Sequence, residues 1–197
     1  MNPTESEVSI HMTSKTNQLL KDTFIELYTH KPINKISVKE LCQRANLNRG
    51  TFYSYYENID NLLEEIEEEL LSDLVNIIKT ENIIIHTKED LDIFLETIKK
   101  LTDYIRKHGN YFKALLGKNG DNLFTYKIKN TMKKKLSIKF KAEKRNIGNL
   151  NEYLLEYISS ANIGVITYWV ETGMKTTPEE LMGLMVKILF KGPFNIR

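Results

Sequence analysis

The sequence predicts an all-α protein of about nine helices, with a three-helix unit at the N-terminus joined to a larger helical part. Three observations predict it. Apolar residues recur at three-to-four spacing through most of the 197 residues, and no stretch alternates as a half-buried strand would. Lys, Ile, Leu, Glu and Asn dominate the composition, which suits helices. Only four prolines occur, and Pro32 and Pro178 fall where helical patterns stop or start.

The elements follow in order. Residues 1–12 are polar and read as a flexible tail. From Ser14 a helix is marked by Leu19, Leu20, Phe24, Ile25, Leu27 and Tyr28, and it ends near Pro32, which disfavours helix in the residue before it. "SVKELCQRA" (37–45) is a short helix in which Ser37 and Glu40 have capping-box spacing. "NLN" (46–48) interrupts, and a third helix covers about 48–56. Longer helices are expected over about 60–84, with Leu62, Leu63, Ile66, Leu70, Leu74, Ile77 and Ile78 as its stripe, and over 88–108. A short helix at 110–117 is stopped by Gly117 and Gly120. A basic helix spans 122–145, and an apolar one spans 149–173 with Gly173 suited to the residue past its end. The last covers 177–192, opened by Thr177 as N-cap and Pro178 in the first turn. The division is therefore a tail (1–12), a helix-turn-helix unit (13–59) and a larger helical unit (60–197), without internal repeats.

Composition limits the function classes. Hydrophobic content of 41% and charged content of 27% are ordinary for a soluble globular protein. No apolar run reaches the roughly 18 residues of a membrane span, and the polar N-terminus shows no secretory signal. Cys42 is the single cysteine, so no intrachain disulfide can form, and a cytoplasmic setting is expected. His11, His30, His86 and His108 are scattered without metal-ligand spacing, and no nucleophile elbow or phosphate-binding glycine loop occurs. The expectation is a non-enzyme without metal or cofactor. Net charge is only +2, but its placement is uneven: "LLEEIEEEL" (62–70) is acidic and 127–145 is strongly basic. The first reads as a solvated face, with pairing to basic neighbours as the alternative. The second reads as an exposed cationic face, with an auxiliary DNA or anionic-partner surface and an anionic-ligand site as the alternatives.

"SVKELCQRANLNRGTFYSYY" has the spacing of a helix-turn-helix, in which one helix crosses a groove edge and the next offers polar side chains to the bases. Leu41, Cys42 and Ala45 can meet Leu47, Phe52 and Tyr56 in a packing seam, where Cys42 reads as a small core residue and not a redox sensor. At about 100° per residue, Phe52 and Tyr56 share one face and fall to the core. Tyr53 and Tyr55 then flank a polar surface of Asn48, Arg49 and Thr51, with Gly50 permitting close approach. A tyrosine can pack its ring and bond a phosphate, and an arginine can donate twice to a guanine.

"ISVKELCQRANLNRGTFYSYYENIDNLLEEI" resembles the DNA-binding segment of TetR-family (AcrR-like) transcriptional regulators, whose pattern is (R/K)-G-T-(L/F)-Y-x-(H/Y)-F followed by a short link and LL. The resemblance is specific over residues 36–66 and looser beyond. It implies a dimer on near-palindromic double-stranded DNA, sensing a signal or small molecule through the larger unit, and a repressor role. The alternative is a regulator of the same fold that works through protein partners as a co-activator. By resemblance, Ser37 caps and touches phosphate, and Lys39 reaches phosphate or base. Asn48, Arg49, Gly50, Thr51 and Tyr53 match base- and backbone-reading positions, and Tyr55 matches a phosphate contact. Ile59 stands where many members carry a phosphate-binding lysine.

In the larger unit Tyr153, Tyr157, Ala161, Gly164 and Tyr168 line one stripe, and Leu181, Met185, Ile188 and Leu189 another. Small residues within the stripe favour a close two-helix dimer face, with intrachain core as the alternative. The resemblance also implies a ligand pocket, for which Phe94, Phe112, Met132 and Trp169 are candidates, although each reads first as core.

Overall fold

The computed structural model describes residues 5–78, 87–144 and 148–195, with side chains from Lys15 onward. Among these residues there are nine α-helices and no strand. They are α1 (Glu5–His30), α2 (Val38–Ala45), α3 (Arg49–Tyr53), α4 (Ile59–Ile77), α5 (Lys88–Lys107), α6 (Gly109–Leu116), α7 (Asn122–Ala142), α8 (Asn151–Glu171) and α9 (Pro178–Lys191). Short 3-10 turns cover Ile33–Lys35 and Gly148–Leu150.

Helix ends depart from expectation where tertiary partners intervene. α1 begins at Glu5, inside the segment read as a tail; residues 5–30 contain no glycine or proline to stop it. α3 is shorter than 48–56 because Ser54 ends it, its hydroxyl donating to the Thr51 carbonyl at 2.7 Å. The expected helix over 60–84 stops at Ile77, and 79–84 lie outside the described residues. Only half of the capping box at α2 forms. Ser37 accepts the Glu40 N–H at 3.2 Å, but the Glu40 carboxylate turns to Lys31 at 2.6 Å. Full boxes occur instead at Thr87/Asp90 and Thr177/Glu180. α8 ends as its sequence suggests: Gly173, at φ 80°, and Met174 return N–H groups to Val170 and Trp169 at 3.1 and 2.8 Å.

One apolar core runs through both units. Leu20 and Phe24 of α1, Phe52, and Leu62 and Ile66 of α4 belong to the same buried cluster as Phe112, Phe124, Trp169 and Val170. The N-terminal helices are therefore built onto the rest of the chain and not hung from it.

Lysines of the basic segment pair with carboxylates of α4 and α8, while Glu64, Glu68 and Glu69 of the acidic segment are exposed. Lys127 pairs with Glu67 at 2.8 Å; Lys129 and Lys133 pair with Glu156 at 2.7 and 2.9 Å. Lys135 donates to the carbonyls of Val75 and Ile78 at 3.1 and 3.2 Å, closing the C-terminus of α4. The solvated-face reading of 127–145 thus fails at these four lysines, although Lys134 and Lys141 are exposed. Hydrogen bonds from Lys129 and Lys133 hold the Glu156 carboxyl down at about 2.

Glu67 is buried, 2% exposed, and one of its oxygens has no hydrogen-bond partner among the described residues. Burial raises its carboxyl above the ordinary value, Lys127 opposes the rise, and Asp121 beside it adds to it. The pair is lopsided: its hydrogen bond to Glu67 raises Lys127, which still reaches water, while burial outweighs attraction at Glu67. The folded chain holds the Glu67 proton more tightly than the unfolded chain. The resulting stability is complete below the ordinary value of 4.5 and is lost as pH rises through the raised value. Urea unfolding of Glu67→Gln beside the parent should therefore show the variant gaining on the parent as pH rises from 4.5 to 7. A variant that loses ground instead would show that the attraction to Lys127 dominates.

Candidate nucleic-acid interface

The turn between α2 and α3 is made by Asn46, which takes the left-handed conformation (φ 54°) and ends α2. Asparagine tolerates that region better than most side chains. Leu47 N–H then returns to the Cys42 carbonyl at 2.9 Å, and Asn48 starts α3. The expected seam forms: Leu41, Cys42, Ala45, Phe52 and Tyr56 are buried, with Leu47 packed beside them. Burial pushes the Cys42 thiol above its ordinary value against the pull of Arg49, so it is the less reactive thiol form that persists.

With Phe52 and Tyr56 inward, the opposite side of α3 is outward. Ser37, Lys39, Asn48, Arg49 and Gly50 are exposed or half-exposed, Thr51 is half-buried, and Tyr53 is 57% exposed. Among the described residues no carboxylate is paired with Lys39 or Arg49, whereas Arg44 and Lys31 are neutralised by Glu26 and Glu40.

Three predicted residues have local duties as well. The Asn48 side-chain oxygen accepts from the Thr51 N–H at 2.7 Å and from its hydroxyl at 3.1 Å, so it caps α3. What Asn48 can offer outward is its amide N–H. A Cβ on Gly50 would meet that same oxygen at 3.2 Å, so glycine serves the cap in addition to leaving room outside. Tyr55 is half-buried, packed against the core and 6.3 Å from the Tyr56 ring, which makes it part anchor and part surface.

Lys35 and Gln43 lie beside these residues in sequence. Both are exposed. Gln43 has four-residue spacing from Lys39, which puts the two on one face of α2. Ile59 is buried in the first turn of α4, where its side chain joins the core. An apolar contact has taken the position at which a lysine was expected.

The predicted dimer stripe is open to solvent. Tyr153, Tyr157 and Tyr168 are 75, 59 and 69% exposed, and Ala161, Gly164 and Leu189 are exposed too. A Cβ at Gly164 would meet nothing within 4 Å, so no contact within the chain calls for glycine there. Beside this stripe a groove of about 450 Å³ lies between α8 and α9, lined by Gly164, Val165, Trp169, Leu181 and Leu184. Leu181 is buried in the chain's own core, and Met185 packs against that core.

Of the four ligand-pocket candidates, Trp169 alone lines the α8–α9 groove. Phe112 is buried against Tyr104 and Phe124, with ring centres 6.1 and 6.5 Å away. Trp169 donates its indole N–H to the Thr176 carbonyl at 2.8 Å and lines the α8–α9 groove. Phe94 and Met132 are half-buried on α5 and α7, outside that groove.

Comparison with known proteins agrees with this arrangement. The family model described as "Bacterial regulatory proteins, tetR family" matches residues 22–66, and "Transcriptional regulator C-terminal region" matches residues 92–191, about half of the chain. The chain is 19% identical over 172 residues to the uncharacterized HTH-type transcriptional regulator YxbF of Bacillus subtilis, covering 86% of this chain and 43% of that protein. Over 61 residues it is 33% identical to the HTH-type dhaKLM operon transcriptional activator DhaS of Lactococcus lactis, covering 31% of this chain and 33% of that one. The aligned parts thus span less than half of either relative. The crystal structure of a TetR transcriptional regulator from Streptococcus agalactiae matches with a TM-score of 0.64 at 22% identity, covering 94% of this chain and 99% of that one, which shows the fold.

Proposed function

The chain belongs to the TetR family of transcriptional regulators, and we propose that it is a dimer that reads a near-palindromic DNA operator through α3 and represses until a signal releases it. The observation that carries the reading is the division of α3. Phe52 is buried, while Arg49 and Tyr53 of the same short helix face solvent, without a paired carboxylate on the arginine among the described residues. In this reading Arg49 donates to a base edge, the Asn48 amide and Tyr53 hydroxyl meet base or backbone, and Ser37, Lys39 and Tyr55 hold phosphates. The exposed stripe Tyr153, Tyr157, Ala161, Gly164, Tyr168 and Leu189 supports the dimer, with Met185 at its edge. A small-molecule effector and a cytoplasmic setting belong to the same proposal. Among the described residues no helix is long and apolar enough to cross a membrane.

A second reading has specific support: one aligned relative is named a transcriptional activator, and Ile59 provides no phosphate contact. In that reading the chain activates through a protein partner. Selection from a random DNA pool with the purified protein separates the two. A repressor-type operator reader should enrich paired half-sites centred about one helical turn (~34–36 Å), or a multiple of it, apart. Its affinity should fall steeply as salt is raised. A pool that comes through without any enriched sequence would remove the DNA-reading proposal.

A further inference from the structure

The inward side of the reading helix is tied by a polar cluster whose placement an apolar core does not require, and we propose that Tyr56, Glu65, Asn17 and Lys21 form a positioning device that sets the angle of α3 on the body. This inference rests on the DNA-reading proposal above.

Tyr56 follows α3 within one turn, its N–H bonded to the Phe52 carbonyl at 3.0 Å, so its side chain moves with α3. Its ring packs against Phe52 with centroids 5.7 Å apart. Its hydroxyl donates to Glu65 on α4 at 3.0 Å and also touches the side-chain oxygen of Asn17 on α1. Asn17 in turn donates its amide to the same Glu65 oxygen at 3.1 Å. Lys21, with a side chain only 5% exposed, lies 2.7 Å from Glu65 and 2.6 Å from Glu69. Three elements therefore meet on one carboxylate: α1 through Asn17 and Lys21, α4 through Glu65, and the end of α3 through Tyr56.

The chemistry is more demanding than packing needs. A buried ammonium is tolerated only with charged partners, and here two carboxylates supply them. Burial works to raise the Glu65 carboxyl, but hydrogen bonds from Lys21, Asn17 and Tyr56 hold it below the ordinary value, so the acceptor remains ionised. Burial and the Glu65 carboxylate both push the Tyr56 hydroxyl far above its ordinary value, so it keeps the proton it donates. Phenylalanine, the residue the quoted family pattern carries at this place, would fill the same space. What the hydroxyl adds is direction. Apolar contacts permit small rotations of a short helix, whereas a bond to a fixed, charged acceptor has one favourable geometry. α1 is itself tied on the neighbouring face, where Gln18 donates to the Tyr111 hydroxyl at 2.9 Å and that hydroxyl donates to Asp22 at 2.6 Å. The cluster is thus anchored to α6 of the body.

The test uses Tyr56→Phe, which keeps the ring, and Lys21→Met, which keeps the length of the stem. Affinities for a selected operator and for a scrambled duplex are measured side by side, with thermal unfolding of each protein. Tyr56→Phe should lose about 10-fold in operator affinity, the equivalent of one hydrogen bond to a charged group. Scrambled-DNA affinity and its salt dependence should hold, so that discrimination falls. A merely structural role would lower both affinities together, in line with the folded fraction, and would overturn the proposal. So would a Tyr56→Phe protein with the parent's full discrimination, even if Lys21→Met failed to fold. A parent protein without any sequence preference would overturn this inference together with the function it rests on.

Discussion

Replacing Arg49 and Tyr53 together by alanine should leave a folded protein that no longer holds its operator. The arginine is asked for a bidentate contact worth about 1–3 kcal/mol of discrimination. The tyrosine hydroxyl adds about 1 kcal/mol as an ordinary hydrogen bond. Together these predict a roughly 30- to 1,000-fold fall in operator affinity, at about 1.4 kcal/mol per factor of ten. Binding to scrambled DNA should fall much less, since Lys39 and the other phosphate-facing groups remain. The fold should survive because both side chains are exposed. Within the chain, the double substitution removes the edge-on packing of Tyr53 against Phe52 at 5.5 Å, an interaction worth about 0.5–1.5 kcal/mol. Fluorescence anisotropy on labelled operator, with circular dichroism as the fold control, reads the outcome. A folded double variant that binds and regulates as the parent does would move the function away from α3 and towards the protein-partner reading.

That prediction depends on information the sequence holds locally. The helical angle alone separates Phe52 and Tyr56 from Tyr53, and the structure buries the first two and exposes the third. Helix ends were readable where the signal is contained in a few residues, as at Thr177–Pro178 and Gly173. They were not readable where a distant partner competes. Glu40 satisfies the sequence rule for a reciprocal cap, yet Lys31, brought beside it by the fold, takes its carboxylate. The basic run 127–145 looked like a solvated face because its partners Glu67 and Glu156 lie 60 and 27 residues from the lysines they bind. No periodicity in a single segment encodes such a pairing. Tyr55 shows an intermediate case: its angle placed it outward, but the short α3 turns at Ser54 and lets its ring fold back on the core. The pocket candidates could not be told from core for a related reason. Large apolar residues are what both a core and a cavity need, and only the packing decides which of the two they form.

The second large effect is expected on α8. Ala161→Glu together with Gly164→Glu should yield a folded monomer with operator affinity reduced by at least about 100-fold, because two linked reading units gain roughly 10²–10⁴ in avidity over one. A two-fold contact between copies would double the effect. Each substitution occurs twice in the dimer, so four carboxylates would crowd a face that otherwise presents tyrosine rings and small side chains. Burying such unpaired charges is prohibitive, and the like charges repel as well. Nothing comparable opposes folding of the single chain. Both positions are solvent-exposed, a Cβ at Gly164 meets no atom within 4 Å, and removing a glycine from a helix interior favours the helix by about 1 kcal/mol. The variant therefore tests the stripe as a contact between copies, since its exposure already sets it outside the chain's own core. If it is the contact between copies, light scattering should find the compact monomer while a titration on operator DNA shows the weakened binding. A compact monomer that kept the full operator affinity would be incompatible with a dimeric reader, because a single α3 would then be supplying all of the binding energy that the paired half-sites were invoked to explain.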